Sequence, residues 1–229
     1  MLLKIFQNLI EIQKGNQRIF SIWGDFGVGK TILSLQLLLQ NKINNYKSIF
    51  IYSKPNLPFM KIKNVFGQQL KEVLSEILLI NSIDFNDLYQ LSFNLEFFFL
   101  QNNKSKDKQI KLILIDSLTD LYRLELNQEK KDKNFILNYK LNTILGNLAY
   151  LNKNYGINIV IINEMSKKSV DGEIIQVEAG GNVMDYWVPH SVKIERTNRL
   201  NERKFILFDK NNHSKDEFTQ TLRSNGFNK

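Results

Sequence analysis

The sequence predicts an α/β fold, a mostly parallel sheet flanked by helices with a β-hairpin over residues 191–208. Three observations predict it. Short apolar, β-prone runs alternate with longer helical stretches, the pattern of strands joined by crossover helices. Two runs, Leu112-Ile113-Leu114-Ile115 and Ile159-Val160-Ile161-Ile162, are apolar at every position, as strands buried on both faces are. The third observation is an octapeptide, Gly24-Asp25-Phe26-Gly27-Val28-Gly29-Lys30-Thr31, which fits the pattern Gly-x-x-x-x-Gly-Lys-[Ser/Thr] between a strand and a helix.

Taken in order, residues 18–23 form a first strand and residues 31–40 a buried helix. A second strand follows over 48–52. Residues 59–101 read as largely helical, with Val65, Leu70, Val73, Leu74, Ile77 and Leu78 at three-to-four spacing. Residues 111–116 are a strand. Residues 134–154 are a long helix with Phe135, Leu137, Leu141, Ile144, Leu145 and Leu148 inward, ending before Gly156. Another strand spans 157–162, and 164–178 read as a polar loop. Trp187 ends a packed helix, and His190 after Pro189 begins a strand. The hairpin turns over 198–202. There is no internal repeat and no long low-complexity linker, so the chain is expected to be a single domain over 1–229.

Composition narrows the chemistry. The absence of cysteine excludes disulfides, thiol catalysis and Cys-based metal sites. His190 and His213 are too few and too far apart in sequence for a His-rich metal site. The opening residues are broken by Gln7, Asn8, Glu11 and Gln13 and form no signal peptide. No run approaches the roughly 18 apolar residues of a membrane helix, so a cytoplasmic protein is expected. The net charge is +8, and between Thr31 and Lys71 there are six lysines and no acid. Such a balance suits a polyanionic partner, although the Asn, Ile and Lys richness of the whole chain accounts for it equally.

The octapeptide carries the most chemistry. Its glycines let successive backbone N–H groups curl around phosphate oxygens at the start of a helix. Gly24, Asp25, Phe26, Gly27, Val28, Gly29, Lys30, Thr31 and Ile32 are the expected nucleotide-binding segment. Lys30 would reach the β- and γ-phosphates of ATP, and the Thr31 hydroxyl would ligate Mg²⁺. The partner carboxylate such a loop needs is Asp116, at the end of its apolar strand, where α/β sheets bind ligands. An aspartate there is also an ordinary helix N-cap; the P-loop favours the metal role.

Ile115-Asp116-Ser117-Leu118-Thr119-Asp120-Leu121-Tyr122-Arg123-Leu124-Glu125 resembles the corresponding region of the RecA/RadA recombinases, most closely the archaeal RadB-like paralogues. The resemblance continues in Ile159-Val160-Ile161-Ile162-Asn163-Glu164, in Asp171-Gly172-Glu173, in Ala179-Gly180-Gly181-Asn182-Val183-Met184-Asp185-Tyr186-Trp187, and in the ending Phe218 to Phe227. It implies a RecA-like ATPase core without an N-terminal helix-hairpin domain, ATP and Mg²⁺ as cofactors, and DNA binding through two loops. By position these loops fall over 126–133 and 165–178. Lys130, Lys131, Lys133, Lys167 and Lys168 would then meet phosphates, there being no interleaved aromatics for base stacking. Implied partners are DNA, the main archaeal recombinase and a Holliday-junction resolvase.

Two positions depart from the family. Lys54 stands where the family carries the glutamate that polarises the attacking water, and a protonated lysine is no base. Glu164 stands where the family has a glutamine that senses the γ-phosphate. Glu164 either takes over water activation as a catalytic residue, or pairs with Lys54 in a site that binds ATP and hardly hydrolyses it. The expected function is an ATP- and DNA-binding recombination or repair accessory protein, with weak or absent hydrolysis and little strand exchange. A KaiC-like signalling ATPase or kinase and a non-catalytic scaffold subunit are the alternatives.

Overall fold

The computed structural model describes residues 18–102, 108–126, 129, 131–170 and 172–228. Its strands are β1 (Ile19–Gly24), β2 (Lys47–Tyr52), β3 (Ile77–Asn81), β4 (Ile110–Asp116), β5 (Asn158–Ile162), β6 (Met165–Val170), β7 (Glu173–Glu178), β8 (His190–Arg196), β9 (Glu202–Phe208), β10 (Ser214–Arg223) and β11 (Gly226–Asn228). The helices are α1 (Lys30–Ile43), α2 (Phe59–Phe66), α3 (Leu70–Ser75), α4 (Phe85–Asn102), α5 (Thr119–Glu125), α6 (Lys131–Tyr155) and α7 (Gly181–Trp187).

A nine-stranded sheet in the order β11-β10-β9-β8-β1-β5-β4-β2-β3 forms the centre. From β8 to β3 every pairing is parallel, and β8 through β11 pair antiparallel. This is the predicted α/β architecture, with the C-terminal hairpin extended by two more antiparallel strands. The central strands are mostly apolar, unbroken over 112–115 of β4 and 159–162 of β5, because both faces are covered. Phe20, Ile22, Leu112, Leu114, Val160 and Ile162 meet Leu33, Leu37 and Leu38 of α1 on one face. Ile113, Ile115, Ile159 and Ile161 meet Leu141, Ile144, Leu145 and Leu148 of α6 on the other.

Three expectations are corrected. Residues 59–101 contain strand β3, whose Leu78 and Leu79 are exposed; being at the sheet edge it shows no alternation to mark it as a strand. Residues 165–178 are an antiparallel hairpin, β6 with β7, because Ile174, Ile175 and Val177 supply β-branched residues after the turn at Gly172. Phe135 was expected inward and is 74% exposed; the buried stripe of α6 begins at Leu137. Helix α6 ends as predicted, with Gly156 in the left-handed region and its N–H on Asn152 O.

Candidate functional site

Parallel pairing sets the C-terminal ends of β1, β2, β4 and β5 side by side, with Tyr52 beside Asp116 and Asp116 beside Ile162. The residues that follow each strand therefore converge: the octapeptide after β1, Ser53 and Lys54 after β2, Asp116 ending β4, Asn163 and Glu164 after β5. Ser53 fastens two of these ends. Its hydroxyl donates to Ser117 O (2.5 Å) and accepts from Ser117 N–H (2.8 Å), and its own N–H reaches Asp116 O (2.9 Å).

The octapeptide runs from β1 into α1 as a cradle that requires glycine at two of its positions. At Gly24, φ is +145° and a Cβ would lie 2.3 Å from Ile194 O. At Gly29, φ is +107° and a Cβ would lie 2.6 Å from the Phe227 ring. Strand β11 is held there by Gln36 of α1, which accepts from Phe227 N–H (2.9 Å) and donates to Phe227 O (3.4 Å). Phe26 is 87% exposed, and Arg196 donates to its carbonyl at 3.1 Å. Val28 is buried and packs into the core, while Ile32 packs at its edge.

The charged groups form one connected set. Lys30 Nζ donates to Gly24 O (2.7 Å), Asp25 O (2.9 Å) and Glu164 Oε2 (2.7 Å). Thr31 Oγ1 donates to Asp116 Oδ2 at 2.7 Å. Lys54 Nζ lies 3.0 Å from Asp116 Oδ1, 3.7 Å from Glu164 Oε1 and 3.8 Å from Asp120 Oδ2. Burial alone pushes the Lys54 amine down, but Asp116, Asp120 and Glu164 outweigh it and hold it above the ordinary lysine range. Lys54 is thus a fixed cation with no capacity to accept a proton. A hydroxyl beside a fully buried carboxylate, at the end of a glycine-rich loop that carries Lys30, is a set that fits a magnesium-bound phosphate group.

Behind Glu164 lies a second, partly buried set that sequence reasoning missed. Asn163 donates to Glu178 Oε1 (2.5 Å) and accepts from Thr119 Oγ1 (3.0 Å); Ser21 Oγ donates to Glu178 Oε2 (2.8 Å). Burial pushes the Glu178 carboxyl up to about 7, against the hydrogen bonds from Asn163 and Ser21, and nearby Asp185 adds to the rise. Ala179 N–H donates to Glu164 O at 3.1 Å. The β6–β7 hairpin is therefore tied by its last residues to the strand end that carries Glu164. No sequence signal marks Glu178, because its hydrogen-bond partners, Ser21 of β1 and Asn163 just after β5, are distant in sequence.

The lysines expected to meet DNA are placed in two groups. Lys167 and Lys168 are exposed on β6. Lys131 and Lys133 stand exposed in the first turn of α6 rather than in a loop, and Lys130 is outside the described residues. Between α5 and the paired glycines Gly180 and Gly181 is a cavity of about 520 Å³, lined also by Tyr122, Asn138 and Ser166. Arg123 borders both this cavity and the one beside Lys54, a placement the sequence did not reveal. No helix among the described residues is long and apolar enough to cross a membrane.

Comparison with known proteins places the chain in a family. The Rad51 family model matches residues 6–229. The chain is 32% identical to the DNA repair and recombination protein RadB of Methanocaldococcus jannaschii, over 91% of this chain and 92% of that protein. It is 31% identical to the RadB of Methanococcus maripaludis over 91% and 90%, and 26% identical to that of Methanosphaera stadtmanae over 81% and 75%. With the glycine cradle, the Asp116 strand end and the full-length match together, the chain belongs to the Rad51 family as a RadB-like member of the RecA/RadA recombinases.

Proposed function

We propose that this protein is an ATP- and DNA-binding accessory protein of recombination and repair, its whole chain acting as one ATPase core. The observation that carries the nucleotide reading is the cradle itself, with Lys30 aimed into it and Thr31 on Asp116. Residues 24–32 would hold the phosphates, Lys30 would neutralise them, and Thr31 with Asp116 would hold Mg²⁺. The metal would supply Lewis-acid stabilisation of phosphate charge. Relatives named as RadB support the recombination and repair role.

Hydrolysis is weak or absent in this reading, because Lys54 occupies the position of the family's water-polarising glutamate and is bound to Asp116. Of the two roles open to Glu164, its contacts with Lys30 and Lys54 favour charge pairing over water activation. ATP would then act as a conformational ligand. DNA would be held through phosphates by Lys167, Lys168, Lys131 and Lys133, with Lys130 added by position. The main archaeal recombinase and a Holliday-junction resolvase are the protein partners this reading implies.

The test is nucleotide binding and turnover with and without single-stranded, duplex and branched DNA, for wild type, Lys54→Glu and Glu164→Gln. Binding with negligible wild-type turnover supports the proposal. Robust turnover abolished by Glu164→Gln would make Glu164 catalytic and sink the pairing role. No DNA binding at low salt would favour a signalling or scaffold function, and autophosphorylation the KaiC-like one.

A further inference from the structure

The Lys30 ammonium has three N–H bonds, and all three are used within the protein. Two go to carbonyls of the loop itself. The third goes to a carboxylate, Glu164, delivered from the end of β5, which accepts where a P-loop lysine ordinarily meets β- and γ-phosphate oxygens. The other Glu164 oxygen faces Lys54, which is shared with Asp116 and Asp120. Two lysines thus stand against three carboxylates. The adjoining cavity of about 450 Å³ adds Asp25 and Arg123, one charge of each sign, and leaves the balance acidic.

We propose that Glu164 is an internal stand-in for a terminal phosphate, so that the site selects nucleoside diphosphates over triphosphates. This rests on the nucleotide reading above and narrows it. A β-phosphate nested on the loop amides can share Lys30 while Glu164 stays in place. A γ-phosphate brings further negative charge to the side of Lys30 that Glu164 already occupies. It must either bind against that carboxylate or drive it off both lysines and towards Asp116 and Asp120. Glu164 cannot withdraw as a whole, because its main chain is pinned, so only its side chain can swing out into the adjoining cavity. Glu164 O accepts from Ala179 N–H at 3.1 Å, and the preceding Asn163 N–H donates to Ile22 O at 2.9 Å. Magnesium on Thr31 and Asp116 would soften the repulsion for both nucleotides without removing Glu164.

Calorimetric titration of the full chain with Mg·ADP and with Mg·β,γ-imido-ATP, which resists hydrolysis, tests the idea. Wild type should bind the diphosphate at least tenfold more tightly. Glu164→Gln keeps the shape and removes the charge, so it should tighten the triphosphate at least tenfold and collapse the preference. Equal affinities in wild type, or an unchanged ratio in Glu164→Gln, overturn the selectivity and leave nucleotide binding standing. Binding of neither nucleotide overturns both. Should the variant fail to fold, Glu164→Ala, which removes the same charge, decides: it must collapse the diphosphate preference, and an unchanged ratio overturns it.

Discussion

Lys54 Nζ sits 3.0 Å from Asp116 Oδ1, joining the residue that replaces the family's acid to the carboxylate expected to hold the metal. Asp116 is fully buried, so the lysine is its charge compensation when no cation is present. Lys54→Ala should leave that charge exposed to a low-dielectric setting and cost about 1–3 kcal/mol, less than a fully buried pair because Lys54 is partly solvated. Adding Mg²⁺ should recover part of the loss. Thermal denaturation with and without the metal checks both parts.

Thr31→Ala removes the hydroxyl that donates to Asp116 Oδ2. Stability should fall by about 1 kcal/mol. Nucleotide affinity should become nearly the same in Mg²⁺ and in EDTA, whereas wild type should bind more tightly with the metal. Parallel titrations in the two buffers make the comparison.

Glu178 gives the fold a pH dependence. Its carboxyl is raised from the ordinary 4.5 to about 7, so the folded state favours the protonated form. That contribution is complete below pH 4.5 and is lost as pH rises through 7. Glu178→Gln should flatten the stability profile across that window. Urea denaturation from pH 5 to 8 should show a falling contribution in wild type of about 2–3 kcal/mol at most, and little in the variant.

Lys167 and Lys168 lie exposed on β6 of the hairpin. If both meet DNA phosphates, each alanine substitution should lower the slope of log affinity against log salt by about 1. Anisotropy titrations over a salt series read it. An unchanged slope would place the DNA contact elsewhere.

The parts of this molecule that sequence reveals are those whose chemistry is local. The octapeptide states its own backbone requirements, and β1, β2, β4 and β5 announce themselves because burial on both faces demands mostly apolar runs, unbroken over 112–115 and 159–162. Strand β3 stayed hidden since Ile77 and Leu78 continue the spacing of the preceding helices. The contact of Lys54 with Asp116 requires knowing that β2 and β4 are neighbours, with Tyr52 beside Asp116. The setting of Glu178 is further from view, since Ser21 comes from β1 and Asn163, itself held by Thr119 of α5, from the end of β5.

The contact of Phe227 with Gly29 gives the phosphate cradle an outer wall made from β11, a strand near the other end of the chain. Whatever pulls on that strand pulls on the loop. A protein that grasped residues 226–228 from outside could loosen or tighten nucleotide binding without entering the pocket. If the cradle holds a nucleotide as proposed, the same wall would make its affinity a sensitive gauge of any tag or fusion placed beside β11.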